Sequence, residues 1–129
     1  KLEELRLDGN QITDVSPLSK LTNLTGLHLD DNEITDLSVL AKLGNLNKLW
    51  LGGNGISDLS PLAKLNNLRS LCLSDNRIED LEPLAGLRSL KYLFIENNPI
   101  CESQKKTLVR ALPECDIHFV PKSLLAGLV

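Results

Sequence analysis

The chain is poor in aromatic residues and contains no long apolar run. Its 129 residues include one Trp, one Tyr and two Phe. A membrane-spanning helix needs about 20 consecutive apolar residues, and no such run is present. No secretory signal is recognisable at the start either. The sequence therefore predicts no insertion into a membrane.

Cysteine and basic residues are also scarce. Three cysteines, Cys72, Cys101 and Cys115, are too few for a disulfide framework. Cys101 and Cys115 flank the terminal segment, where they either pair or remain partly buried free thiols, and we favour free thiols. Pairing would indicate an oxidising compartment. A net charge of −3 without clustered basic residues argues against nucleic acid as the main partner.

What the chain does have is a repeat. Five asparagines recur every 22 residues, and each closes the phrase L-x-x-L-x-L/I-x-x-N-x-I. These are Asn10, Asn32, Asn54, Asn76 and Asn98. A short fixed period indicates stacked units, because one unit cannot bury its apolar set alone. Each buried aliphatic side chain contributes about 1.5–3 kcal/mol. An Asn amide can satisfy backbone groups where the chain turns, so we assign these five a structural role.

The phrase also predicts local structure. L-x-L alternates with period two, so each phrase should form a short strand with its leucines inward, and successive strands should pair in parallel. Ser-Pro-Leu at 16–18 and 60–62, with Glu-Pro-Leu at 82–84, predicts the start of a helical segment, because Pro fits the first helical position. About ten residues remain per repeat, enough for a turn or two of 3₁₀ or α-helix.

The period divides the chain into three parts. Residues 1–100 contain four full repeats and a partial fifth, and residues 101–120 are predicted to form a C-terminal cap. Residues 121–129 have no assignable pattern, so we expect a tail or linker. Because the chain starts inside a repeat phrase, we expect a fragment whose missing N-terminal length the sequence does not reveal.

The cap is predicted to be a helix followed by a last strand. Ser103 is a candidate N-cap for a helix running to Leu112, where Pro113 stops it. Residues 116–120 then alternate as a strand, with the apolar side chains on one side. The helix carries an apolar stripe suited to covering the open end of the core.

The repeat phrases resemble a known family. NQITDVSPLSKLTNL, NEITDLSVLAKLGNL, NGISDLSPLAKLNNL and NRIEDLEPLAGLRSL are similar to leucine-rich repeats of the 22-residue class, especially those of bacterial internalins. The resemblance implies an α/β fold. It is a right-handed leucine-rich repeat solenoid with a parallel sheet on the concave side, short 3₁₀ or α segments on the convex side and a helical C-terminal cap.

The resemblance also implies a function. It suggests a monomeric module that binds a protein partner on the concave sheet, as the recognition domain of a bacterial secreted or surface protein. The phrases are similar to those of a eukaryotic phosphatase regulator as well. An intracellular scaffold, or a regulatory domain of a signalling enzyme, is therefore the alternative.

The outward residues of the strands define the candidate site. Strands lie about 4.8 Å apart, so equivalent residues should form rows across the sheet. The central row is Arg6, His28, Trp50, Cys72 and Phe94. The flanking rows are Glu4, Gly26, Lys48, Ser70 and Tyr92 on one side, and Asp8, Asp30, Gly52, Ser74 and Glu96 on the other.

Three of the four aromatic residues fall on this grid. Large rigid rings facing solvent are typical of interfaces, and the small residues around them should leave room for a partner. The predicted partner-binding residues are Arg6, His28, Asp30, Lys48, Trp50, Cys72, Tyr92, Phe94 and Glu96. The alternative is that the rings only cover the sheet.

Catalysis is not predicted. His28 has Asp8 and Asp30 within reach, but the nearest nucleophile candidate, Cys72, lies two strands away, roughly 10 Å. His28, Asp30 and Asp31 lack further ligands for a metal. His118 is read as a surface residue of the cap. We therefore expect no enzyme activity, no cofactor and no metal.

Overall fold

Each repeat forms one coil of a stack. The computed structural model describes residues 1–120, so the predicted tail at 121–129 lies outside the described residues. Over that range six three-residue strands form one parallel sheet, in which each strand pairs with the next along the chain. They are β1 (Glu4–Arg6), β2 (Gly26–His28), β3 (Lys48–Trp50), β4 (Ser70–Cys72), β5 (Tyr92–Phe94) and β6 (Asp116–His118).

Short 3₁₀ helices return the chain on the convex side. In the described part of the chain they are Ser16–Leu18, Ser38–Lys42, Ser60–Leu62 and Glu82–Leu84. Three of them have Pro in the first helical turn, as the sequence predicted. An Asp precedes each one. Asp14 Oδ1, for example, accepts the Ser16 N–H at 2.9 Å, and hydrogen bonds from this serine lower the pKa of the Asp14 carboxyl.

The core is a ladder of aliphatic side chains between the sheet and the 3₁₀ helices. Leu27, Leu49, Leu71 and Leu93 stack at the same position of successive coils and are fully buried. In the first coil Leu5 is only partly buried, because within the described structure this coil is packed on one side only. Stacking therefore completes the burial that a single coil cannot achieve.

The asparagine side chains join adjacent coils. Asn76 Nδ2 donates to the carbonyl oxygens of Leu51 and Leu73 at 3.0 Å and of Ser74 at 3.1 Å. Its Oδ1 accepts the Ile56 N–H at 3.0 Å. Two of these four partners belong to the preceding coil. The same four-bond pattern recurs at Asn32, Asn54 and Asn98.

The last coil is covered by helix α1 (Glu102–Ala111). Leu108 is buried, and Gln104 Oε1 accepts the Leu81 N–H at 3.0 Å, which ties the helix to the preceding coil. The predicted N-cap was wrong. The helix begins one residue earlier than Ser103, with Cys101 at the N-cap position and no side-chain capping bond.

The other observed bounds of the cap also differ from the predicted ones. The helix ends one residue short of the predicted Leu112, whose side chain is buried against the core. The strand is shorter than the predicted 116–120, because pairing with β5 stops at His118. Ile117 and Phe119 pack partly against the core, on the same side as predicted.

We predict that Asn76→Ala lowers the free energy of unfolding by about 2–4 kcal/mol, because it leaves a buried N–H and several carbonyl groups with fewer partners. Urea denaturation followed by circular dichroism measures this. The matched control is Asn10→Ala, since Asn10 donates only within its own exposed coil, to Leu7 and Asp8. Equal losses for the two variants would contradict a role in joining coils.

Candidate functional site

Strand pairing places the central-row residues opposite one another. Arg6 pairs with His28, His28 with Trp50, Trp50 with Cys72 and Cys72 with Phe94, which is the register that the sequence predicted. The row continues into the cap, where His118 pairs with Phe94. Sequence reasoning missed this residue. The signal was present, because Ile117-His118-Phe119 keeps the apolar–polar–apolar alternation of the repeat strands.

Four rings of this row contact one another and form what we call the aromatic strip: His28, Trp50, Phe94 and His118. The centroids of His28 and Trp50 are 6.0 Å apart, edge to face, and those of Phe94 and His118 are 4.6 Å apart and stacked. Trp50 and Phe94 lie two strands apart, about 9.6 Å along the sheet. Their centroids are only 6.5 Å apart, so the rings lean toward each other over Cys72.

These contacts hold the four rings in place. Edge-to-face and stacked ring pairs each add roughly 0.5–1.5 kcal/mol beyond the area they bury. Trp50 and Phe94 remain partly exposed, and the neighbouring Tyr92 is 49% exposed. The strip is therefore both held in place and accessible.

His28 does not have the exposure that was predicted for a contact residue. It is only 6% exposed, because its ring lies between Trp50 and the side chain of Glu4. The orienting carboxylate was also assigned wrongly. His28 Nε2 lies 3.1 Å from Glu4 Oε2 of the preceding coil, whereas Asp8 and Asp30 had been expected to supply the partner. This hydrogen bond lowers the pKa of Glu4.

The glycines of the sheet do not leave the open space that was expected. A Cβ on Gly26 would lie 3.2 Å from the side chain of Glu4. One on Gly52 would lie 3.3 Å from both Asp30 Oδ1 and Cys72 Sγ. Both glycines are buried, because longer side chains from adjacent coils fold over them. The glycines therefore let side chains of adjacent coils pack closely over the sheet, and they leave no open space.

Two carboxylates lean inward along the sheet on one side of the strip. Asp30 Oδ1 accepts the Gly52 N–H at 2.7 Å, and Glu96 Oε1 accepts the Ser74 hydroxyl at 2.6 Å. Burial raises the pKa of Asp30, and the negative charges of Asp8 and Asp31 raise it further. The surroundings of Asp30 therefore disfavour the charged form of its carboxyl group.

The remaining predicted contact residues lie around the strip. Arg6 and Lys48 are exposed, and Arg6 Nη2 lies 3.4 Å from Glu4 Oε2. Cys72 is partly buried beneath the leaning rings, with its Sγ 3.6 Å from Ser74 Oγ. Burial raises the pKa of its thiol, so this cysteine is a poor nucleophile.

All three cysteines are free thiols, which answers the question that the sequence left open for Cys101 and Cys115. Cys101 is exposed, and a hydrogen bond with Ser103 lowers its pKa. Cys115 is partly buried, and burial raises its pKa to about 11.

Residues 1–120 contain neither a metal-binding cluster nor a membrane-spanning helix. Within this range no group of three or more His, Cys, Asp or Glu side chains is arranged to hold a metal ion. Across the same residues, no helix has the length and apolarity needed to cross a bilayer.

The thiols provide a test of the leaning rings. We predict that iodoacetamide at neutral pH alkylates Cys101 roughly tenfold faster than Cys72, because Cys101 is exposed and has the lower pKa. In Trp50→Ala the rate at Cys72 should rise while the rates at Cys101 and Cys115 stay constant. Peptide mass spectrometry against time measures all three. Equal rates at Cys72 in both proteins would show that the rings do not cover it.

The raised pKa of Asp30 predicts a pH-dependent stability. Its folded pKa lies above the unfolded value, so the charged form destabilises the fold at neutral pH, and this penalty disappears as the pH falls. Asp30→Asn should therefore raise the Tm at pH 7, with a difference that narrows as the pH falls through the raised folded pKa and is gone below the unfolded pKa of about 3.9. Calorimetry across this range measures it.

Asp58→Asn is the control with the opposite sign. A hydrogen bond from the Ser60 N–H lowers the pKa of Asp58, so its charge stabilises the fold above the unfolded pKa. Its replacement should lower the Tm at pH 7, with a difference that also narrows in acid. Shifts of the same sign for the two variants would contradict the assignment.

Comparison with protein families identifies the repeats. The model for leucine-rich repeats (two copies) matches residues 1–42, 22–64, 44–84 and 66–106. The four matches overlap, so that residues 1–106 are covered without a gap. A search of curated proteins found no significant match.

Solved structures with the same architecture include two from Listeria monocytogenes. Internalin C2 is 39% identical with a TM-score of 0.86, over 92% of this chain and 52% of its own. Internalin F is 35% identical with a TM-score of 0.67, over 91% of this chain and 40% of its own. The chain thus spans about half the length of internalin C2.

A more distant likeness is to TLR13, solved in complex with a single-stranded RNA. It is 29% identical with a TM-score of 0.75, over 91% of this chain and 18% of its own. Family matches over residues 1–106, the parallel coil stack and these neighbours agree. The chain belongs to the leucine-rich repeat family, and its 22-residue repeats are internalin-like.

Proposed function

We propose that this chain is a non-catalytic module that binds a protein partner on its concave sheet face, and that it serves as the recognition part of a bacterial surface or secreted protein. The observation that carries the proposal is the aromatic strip. A chain with four aromatic residues of the Trp, Tyr and Phe types places three of them on this one face.

The arrangement of these rings favours binding over simple coverage of the sheet. Leu27, Leu49, Leu71 and Leu93 on the inner side of the sheet are fully buried, so the fold does not need Trp50 or Phe94 to exclude water from them. Aromatic side chains held by their neighbours lose little conformational entropy when a partner contacts them. Exposed Tyr92 extends the apolar area at the margin.

Charge favours a protein over a nucleic acid. The three rows of the face carry acidic side chains at Glu4, Asp8, Asp30, Glu96 and Asp116. Against these five stand the cations Arg6 and Lys48. A nucleic-acid-binding surface needs an excess of Lys and Arg facing the phosphates, and this face has the opposite sign.

The side-chain chemistry supports a non-catalytic role. Both histidines have a carboxylate partner. His28 is buried against Trp50 and its Nε2 is engaged by Glu4, and His118 Nε2 lies 3.2 Å from Asp116 Oδ2. The nearest thiol in their row belongs to Cys72, whose raised pKa keeps it protonated at neutral pH. A nucleophile and a base that activates it would have to lie within hydrogen-bonding distance.

The bacterial surface or secreted setting is supported by the Listeria internalins, which are 35% and 39% identical. Because these proteins are longer than this chain, the setting remains part of the proposal. A signal peptide or cell-wall anchor encoded by the full-length gene would support it over an intracellular scaffold.

The function is tested with Trp50→Ala/Phe94→Ala. We expect this variant to lose at least roughly tenfold in affinity for a partner captured by the wild-type chain, since such anchors each contribute about 2 kcal/mol or more. Its Tm should fall, because the three ring contacts of the strip are lost, but the variant should remain folded at 25 °C, because the core leucines are untouched. Surface plasmon resonance and calorimetry measure the two quantities.

The control is Lys42→Ala/Lys64→Ala on the convex side, where both lysines are exposed. This variant should bind as the wild type does. If the aromatic variant is folded in the assay and still binds as tightly as the wild type, the concave face is not the binding surface.

A further inference from the structure

The two edges of the sheet face differ in charge. We call the two residues that directly follow L-x-L (L-x-I in the fifth repeat) the strand-end edge. Every charged residue at this edge is acidic. These residues are Asp8, Asp30, Asp31, Asp75 and Glu96. The strand-start edge consists of the two residues that precede the inward Leu (Ile in β6) of each strand. Its charges are mixed: Glu3, Glu4, Lys48, Arg69, Lys91 and Asp116. The charge of the face therefore changes along the strand direction, from a mixed edge to an acidic one, with the apolar strip between them.

The two inward-leaning carboxylates lie beside the aromatic strip. Asp30 reaches toward Gly52 on the third coil, and Glu96 toward Ser74 on the fourth. The groups that donate to them lie on adjacent coils, so both carboxylates point to the middle of the face from its two ends. Each uses one oxygen in its hydrogen bond, and within residues 1–120 neither forms an ion pair.

A half-buried carboxylate without a countercharge favours a cation from outside. Removing Asp30 from water without pairing it has raised its pKa, and a cation at this place would reverse that penalty. The rings of Trp50 and Phe94 also attract cations over their faces. The face therefore favours a ligand that carries apolar groups and positive charges next to each other.

Resting on the proposed function, we propose that the occupant of this face is a basic protein segment. Its apolar side chains lie on the aromatic strip, and its Arg or Lys side chains reach Asp30 and Glu96 at the strand-end edge. The mixed strand-start edge offers no comparable site, so the basic side chains of the segment point toward the strand-end edge.

The spacing suits an extended segment that runs across the strands. Asp30 and Glu96 belong to coils two and five, but their carboxylate oxygens are held at Gly52 and Ser74, which lie one strand spacing of about 4.8 Å apart. In an extended chain, side chains two residues apart point the same way and are separated by about 7 Å. Basic residues at every second position therefore match both carboxylates, while the intervening side chains turn toward the strip.

The test uses a capped nine-residue peptide of alternating leucine and arginine, with a counterpart in which glutamine replaces arginine. Trp50 is the chain's single tryptophan, so its fluorescence reports directly on the face. We expect the arginine peptide to change this fluorescence saturably. Asp30→Asn/Glu96→Gln should need roughly tenfold more peptide for half-saturation, because two charge-assisted contacts are lost.

The variant is chosen to preserve the fold, since Asn and Gln keep the oxygens that accept from Gly52 and Ser74. Glu79→Gln is the control. It makes a charge change of the same sign at an exposed residue off the sheet face, and it should titrate as the wild type does.

Three results would overturn the inference: no saturable signal with the arginine peptide, equal titration of the wild type and the double variant, or equally tight binding of the glutamine peptide. None of them touches the proposed function. That proposal fails only if Trp50→Ala/Phe94→Ala still captures the partner.

Discussion

The need to satisfy buried backbone groups between coils sets the geometry of this chain. Each inner Asn amide bonds backbone atoms of its own coil and of the coil before it, as Asn76 does with Leu73 and Leu51. A residue inserted between a strand and its Asn would move the amide away from one set of partners and leave buried polar groups unpaired. The constant spacing from each strand to its Asn is thus a hydrogen-bonding requirement, and the leucine ladder buries the groups that would otherwise bond water.

Fixed register has a direct consequence for the concave face. Because equivalent residues lie one strand spacing apart, a ring large enough to lean across a small neighbour contacts the ring beyond it, as Trp50 and Phe94 do over Cys72. The resulting surface is assembled by the fold itself. Binding to such a surface costs less ordering entropy than binding to loops that must first be fixed, which is why a short row of rings can serve as an anchor.

The repeat period was enough to predict the coil stack, the parallel sheet and the row from Arg6 to Phe94, because these follow from register alone. It did not predict how side chains lean. His28 is buried because Glu4, one coil earlier, folds over Gly26 and reaches its ring, and such a contact depends on rotamers that the period does not specify. His118 was missed for a different reason: the 22-residue spacing breaks in the cap, while the two-residue alternation of the strand persists.

The acidic residues of the strand-end edge fall into two groups, and the turn after each strand explains only one of them. The turn after each strand needs a residue with positive φ, occupied by Gly9, Asp31, Gly53, Asp75 and Asn97. Gly, Asn and Asp adopt this conformation most readily, so backbone geometry alone accounts for Asp31 and Asp75. Asp8, Asp30 and Glu96 lie one residue earlier, where φ is negative and many side chains fit. Their carboxylates are not required by the turn, so a functional explanation of the charge has to rest on these three, of which Asp30 and Glu96 lean over the sheet.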